Sequence, residues 1–188
     1  MPRSLLRCNT NAGNVPDPMR HIISVLLQNE AGALARLSGM FSARGYNIES
    51  LTVAPTHDPT LSRLTVVTTG SDAVIDQIIK QSRKLIDVVE VADLTGREHV
   101  EMELLLVKVD VAAASARAVV DVIRRYRGQL LDESNSTRTV QVTGTGLEVS
   151  DFLKEIGGLA RVLEVVRSGV AAIEPGHRML AARPDAAA

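Results

Sequence analysis

The spacing of apolar residues changes along the chain, and each change marks an element. From His21 to Leu27 the run HIISVLL is short, unbroken and rich in Ile, Val and Leu, which predicts a strand buried on both faces. Leu34, Leu37 and Phe41 then fall at i, i+3 and i+7, one face of a helix, and Gly45 stands where a C-terminal cap belongs. YNIESLTV alternates, PTHDPT supplies turn chemistry and LSRLTVVTT returns as a strand, which together predict a hairpin with a long loop. Ser71 is placed to cap a second helix striped by Val74, Ile75, Ile78 and Ile79, and LIDVVEVADL closes the unit as a fourth strand. The order is βαββαβ.

The second half repeats it: VEMELLLVKVDV, a helix carrying Val119, Val120 and Ile123, the strands QLLDES and RTVQVTG, a helix carrying Val149, Phe152, Leu153 and Ile156, and the strand ARVLEVVRSGV. Arg44-Gly45 precedes the second strand of the first unit as Arg127-Gly128 does in the second, and LIDVVEV matches LARVLEV at Leu, Val, Glu and Val, so the halves read as an internal repeat. This predicts an α+β chain with a flexible arm over 1–19, one small domain over 20–94, a joint near TGREH, a second domain over 99–174 and a flexible tail over 175–188. In the split βαβ arrangement two helices cover one face of an antiparallel sheet, leaving the other bare. That face is expected to pack on the twin domain or on another chain. A domain of about 75 residues buries only about 60% of its unfolded-chain surface, so oligomerisation is expected.

Composition narrows the chemistry. The 188 residues carry a net charge of −1 with no long basic run, which argues against a nucleic-acid partner. No apolar run approaches the roughly 20 residues that span a bilayer, and MPRSLLRC is too short in apolar residues for a secretory signal, so a soluble cytoplasmic protein without a membrane partner is expected. Cys8 is the only cysteine, and no Cys/His spacing resembles a zinc site, so no metal site is expected. His21, His57, His99 and His177 are scattered and read as surface or loop residues. Gly144-Thr145-Gly146 has only the first two glycines of a dinucleotide fingerprint and reads as a tight turn. No nucleophile stands with a base, so no catalytic residues are assigned.

The polar knot Gln28-Asn29-Glu30, followed by Gly32 and a predicted helix, is the most informative group. A helix N-terminus offers unpaired N–H groups and partial positive charge, and the small first turn at Gly32, Ala33 and Leu34 leaves room for a carboxylate. The residues leave a second reading open, in which Asn29 merely caps the helix and Gly32 merely eases the turn. Asn47 begins the predicted second strand, at a sheet edge guarded only by Glu49, and such an edge invites pairing with a second subunit. A polar residue facing water is equally compatible with that position.

The run SVLLQNEAGALARLSGMFSARGYNIESLTVAPTHDPTLSRLTVVT, followed by KLIDVVEV, resembles the small regulatory subunit of acetolactate synthase (acetohydroxyacid synthase), over about His21 to Ile173. RGYNIESLTVAPT and DPTLSR are the most specific blocks. The resemblance implies two tandem ferredoxin-like domains, the first an ACT domain. It further implies a noncatalytic homodimer that binds the catalytic large subunit, activates it and confers feedback inhibition by valine in branched-chain amino acid biosynthesis. Thiamine diphosphate, Mg²⁺ and FAD are then expected in the catalytic partner and no cofactor in this chain. Carried onto this sequence, the family's effector contacts fall on Asn29 and the backbone of Gly32, Ala33 and Leu34, with Asn47 and Ile48 supplied by the partner chain. A stand-alone ACT-type amino-acid sensor and an acylphosphatase-like hydrolase of the same fold are the alternatives. The latter needs a cationic phosphate cradle at the first strand-helix loop, where this sequence has Glu30 and no arginine.

Overall fold

The computed structural model describes residues 19–181; the expectations for 1–18, Cys8 included, and for 182–188 lie outside the described residues. The first unit comprises β1 (Met19–Gln28), α1 (Ala33–Ala43), β2 (Ser50–Pro55), β3 (Leu61–Gly70), α2 (Asp72–Ser82) and β4 (Val88–Asp93). The second comprises β5 (Val100–Asp110), α3 (Ala116–Arg125), β6 (Gln129–Ser134), β7 (Thr137–Gly144), α4 (Gly146–Leu159) and β8 (Arg161–Ile173), with a 3₁₀ turn at Ala113–Ser115 ahead of α3. Each unit is an antiparallel four-stranded sheet, ordered β2-β3-β1-β4 and β6-β7-β5-β8. This is the split βαβ architecture twice over, with β2 and β6 at sheet edges.

Apolar periodicity accounts for both cores. Ile23 and Val25 of β1 face the helices and pack with Leu37, Phe41, Ile75 and Ile78. In the second unit Leu105, Val107 and Val109 alternate inward against Val119, Phe152 and Ile156, while Met102 and Leu104 point outward and stay exposed. The two units solve the bare-face problem differently. Ile22, Val67 and Leu94, on the helix-free side of the first sheet, are covered by Val170 and Ala172 of β8. The unbroken apolar run of β1 thus reflects burial on both faces, whereas β5 shows the alternation of a sheet with one open face.

Gly169 makes that docking possible. It has φ +78, and a Cβ there would lie 2.7 Å from Ser50 Oγ and 2.9 Å from Thr52 Oγ1. Around it Ser50 Oγ accepts from the Val170 N–H at 3.0 Å, and Thr52 Oγ1 donates to the Ser168 carbonyl at 3.1 Å. β8 is therefore the closing strand of one unit and part of the floor of the other.

Local details depart from the sequence expectations. Leu37 and Phe41 are buried as expected, but Leu34 is 37% exposed and Ala33 and Met40 complete the buried face of α1. Ser71 occupies the N-cap of α2 without a side-chain cap bond, whereas Thr145 and Glu148 form a full capping box at α4, so the Gly-Thr-Gly turn is a helix start. His21 is buried, not a surface residue, with Asp72 and Asp93 carboxylates 3.8 and 3.9 Å from its ring nitrogens. In the Arg-Gly pairs, Gly45 takes positive φ in the first unit but Arg127 does so in the second, and a Cβ on Gly128 would lie 3.1 Å from Ile123 and 3.2 Å from the Gln141 carbonyl. No described helix is long and apolar enough to cross a membrane, and no cluster of metal-ligating side chains occurs among the described residues.

Candidate functional site

The β1–α1 loop is built by three neighbouring elements. β1 ends at Gln28, paired with Leu61 of β3, and the chain leaves the sheet beside the β2–β3 loop. Asn29 fixes that exit: its backbone N–H donates to the Thr60 carbonyl at 2.7 Å, its Nδ2 donates to the Pro59 carbonyl at 2.9 Å, and its Oδ1 accepts from Ser62 Oγ at 3.1 Å. Asp58 shapes the facing loop by accepting from the Thr60 N–H and hydroxyl at 2.9 and 2.7 Å, bonds that hold its carboxyl below the usual range. The DPTLSR block thus supplies the wall against which Asn29 rests. Asn29 is no helix cap.

Gly32 occupies the N-cap of α1 in the left-handed region, φ +87, with no side-chain cap. The Ala33 N–H donates to the Glu30 carbonyl at 3.2 Å and the Arg36 N–H to the Gly32 carbonyl at 2.9 Å. Ala33 is buried and its N–H engaged, so the donors left at the helix start are the Leu34 and Ala35 N–H groups, which find no acceptor among the described residues. Gly32 and Leu34 are exposed beside them. An unpaired helix N-terminus of this kind favours a carboxylate by hydrogen bonding and by the helix dipole.

Arg36 and Asp87 are the residues that sequence reasoning missed. Arg36 Nε donates to Asp87 Oδ2 at 2.5 Å and Nη2 to Oδ1 at 2.8 Å, a two-pronged pair whose carboxylate side chain is 4% exposed. The shared hydrogen bonds hold the Asp87 carboxyl below its ordinary range and raise the Arg36 guanidinium. An arginine therefore does reach the first strand-helix loop, from one turn into α1, although Asp87 holds both prongs and Glu30 adds further negative charge nearby. The pair joins positions 51 apart in sequence, and neither local periodicity nor charge spacing signals it.

Asn47 and Ile48 are not brought to this loop within one chain. Asn47 lies before β2, which starts only at Ser50, because Tyr46 and Ile48 turn into the core and Tyr46 meets Phe41 edge-on at 6.2 Å. The exposed Asn47 accepts from Thr68 Oγ1 at 2.5 Å through its carbonyl, beside the end of β3 that pairs with Met19 through Gly70. Asn29 lies at the opposite end of β3, beside Leu61, about 20 Å away at roughly 3.3 Å per residue. Among the described residues β2 pairs only with β3, which leaves its other edge open, and Val53 of this strand is exposed. Glu49, expected to guard that edge, instead bonds the Thr69 hydroxyl. Open clefts border the far side of this wall and the seam between the units: one of about 740 Å³ is lined by Leu26, Asp58, Leu61, Arg63, Ala172 and Met179, and one of about 630 Å³ lies between the two units.

Comparison with known proteins places this geometry in a family. Residues 23–90 match the family of AHAS small subunit-like ACT domains, and residues 102–176 match the family described as small subunit of acetolactate synthase. The chain is 48% identical over 162 residues to the acetolactate synthase isozyme 3 small subunit of Escherichia coli (strain K12), covering 86% of this chain and 99% of the relative. It is 40% identical over 158 residues to the acetolactate synthase small subunit of Aquifex aeolicus, covering 82% of this chain and 80% of that one. The crystal structure of the acetolactate synthase small subunit from Thermotoga maritima superposes with a TM-score of 0.78 at 30% identity, over 85% of this chain and 99% of that one. The chain belongs to the family of acetolactate synthase small subunits, with an ACT domain as its first unit.

Proposed function

We propose that this chain is the noncatalytic regulatory subunit of an acetolactate synthase, which binds the catalytic large subunit, raises its activity and makes it responsive to valine. The observation that carries the reading is the β1–α1 loop: a left-handed glycine opens a helix whose Leu34 and Ala35 N–H groups are unspent, in a chain of this family. These groups suit the carboxylate of a free amino acid, and the remaining Asn29 amide hydrogen suits a polar group beside it. Thiamine diphosphate, Mg²⁺ and FAD belong, on this reading, to the catalytic large subunit, which forms acetolactate from pyruvate.

The site is completed across a homodimer. If β2 pairs antiparallel with its counterpart in a second copy, the start of one β2 meets the end of the other. The end of β2 at Pro55 stands beside Ser62, next to the loop that holds Asn29. The partner copy's Asn47 and Ile48 would thereby reach the helix start that they do not reach in their own chain. Light scattering at micromolar concentration is expected to give about twice the 20.2 kDa chain mass. Mixing the protein with the catalytic large subunit of its own organism is expected to raise acetolactate formation, and valine to suppress the increase. No change in rate on mixing would reject the regulatory assignment.

A further inference from the structure

We infer that the Arg36–Asp87 pair is the positioning device of the effector loop: it clips the first turn of α1 to the start of β4 and so holds Gly32 and the Leu34 and Ala35 N–H groups in a carboxylate-accepting arrangement. This rests on the amino-acid-binding reading above and adds to it two residues that do not touch the ligand.

Three connections converge on the pair. Asp87 engages the Arg36 side chain through both carboxylate oxygens. Its backbone carbonyl accepts from the Gln28 N–H at 2.8 Å, so the residue also holds the end of β1, the strand that leads into the loop. Arg36, through its own N–H, binds the Gly32 carbonyl. The loop between Gln28 and Arg36 is therefore fixed at both ends by one buried aspartate. The third guanidinium nitrogen, Nη1, turns toward the loop and stands 2.9 Å from where a Gly32 Cβ would be. A side chain at residue 32 would have to displace that guanidinium nitrogen, and φ +87 is itself strained for any residue but glycine. A fork with two fixed prongs sets direction as well as distance, and a lysine cannot reproduce it.

The test uses the full-length protein and three variants: Asp87→Asn, Arg36→Gln and Arg36→Lys. Circular dichroism and sedimentation first establish fold and assembly, and Arg36→Lys, the mildest change, keeps the test available should the others fail to fold. In calorimetry, Asp87→Asn and Arg36→Gln are expected to bind valine about tenfold more weakly or worse, the size of one charge-assisted hydrogen bond. Arg36→Lys should remain weakened. The loss should be confined to ligands with a free carboxylate, so that valine suffers and valinamide does not; general destabilisation would weaken both. Hydrogen exchange of the Gln28 and Arg36 amides, measured without ligand, should accelerate in the variants. Wild-type valine affinity in Asp87→Asn, or full recovery in Arg36→Lys, would overturn the inference, as would unchanged exchange at those two amides. If the wild type itself binds no valine, the functional reading fails, while the exchange data still decide whether the pair holds the loop.

Discussion

Gly32 is the residue on which loop conformation and, on the proposed reading, effector binding depend together. Its positive φ and the adjacent guanidinium make Gly32→Ala strained, at a cost of about 1–2 kcal/mol measurable by urea denaturation, reduced to the extent that Arg36 swings aside. Gly32→Asp carries the same strain and adds a carboxylate that competes for the N–H groups an effector needs. It is expected to abolish valine inhibition of the reconstituted enzyme while activation of the large subunit persists. A folded Gly32→Asp protein inhibited at wild-type valine concentrations would exclude the loop as the effector site. Asp87 is expected to give a pH signature. The Arg36 hydrogen bonds lower its carboxyl in the folded state, so the contribution is complete above the unfolded value of about 3.9 and is lost as pH falls through the lower folded value. Denaturation curves of wild type and Asp87→Asn should therefore converge as pH falls below about 4, with wild type losing more stability. Parallel curves would mean that the pair is not formed in solution. Gly32 and Asn29 stand out in the sequence because polar and conformationally permissive residues interrupt an apolar strand just before an apolar helix. Arg36 and Asp87 do not stand out, since each alone is an ordinary charged residue.

The informative element is β8. Its apolar first half, RVLEVV, satisfies the expectation of a closing strand beside β5, and it pairs there antiparallel. Its second half has another task, which the residues SGVAA announce only in retrospect: small side chains allow it to lie against the first sheet, where Ser50 and Thr52 meet Ser168, Gly169 and Val170. Gly169→Ala would bring a Cβ into both hydroxyls at a backbone angle that disfavours it. A loss of about 2–4 kcal/mol is expected from strain and overpacking combined. The readout is faster proteolysis near Thr95 to His99, the joint between the units, with the two sheets otherwise intact. Unchanged cleavage there would show that the docking does not hold the units together. Helix periodicity was largely legible: the core stripes of α2 and α4 fall as their spacing predicts, whereas in α3 Val119 and Ile123 do so but Val122 enters the core in place of the expected Val120. The rotation of α1 was not legible: Ala33 and Met40 join Leu37 and Phe41 in the core while Leu34 stays exposed, a choice made by how the helix packs on its sheet.

At the scale of the molecule, the first unit has no bare sheet face of its own, because Val170 and Ala172 cover Ile22, Val67 and Leu94. A fragment ending at Thr95 would lose that cover, and it is expected to bind hydrophobic dyes or aggregate where the full chain does not. A fragment that is monomeric, fully folded and dye-silent would show that β8 contributes nothing to the first unit. The outward face of the second sheet, with Met102 and Leu104 exposed, has no such cover from the described residues.

The sequence by itself determined the element order, the repetition of one βαββαβ unit and the glycine at the start of the first helix. Those follow from short-range rules: a period of two or of 3.6 in apolar residues, and the few residue types that tolerate a turn or a helix start. Only the tertiary structure decided which side of each sheet is covered, that Asn29 and Asn47 lie at opposite ends of one strand, and that Arg36 meets Asp87 beneath the loop. Each of these is a contact between residues far apart in sequence. Such contacts are set by how the layers pack, and local residue patterns leave no trace of which distant partner packing will bring together.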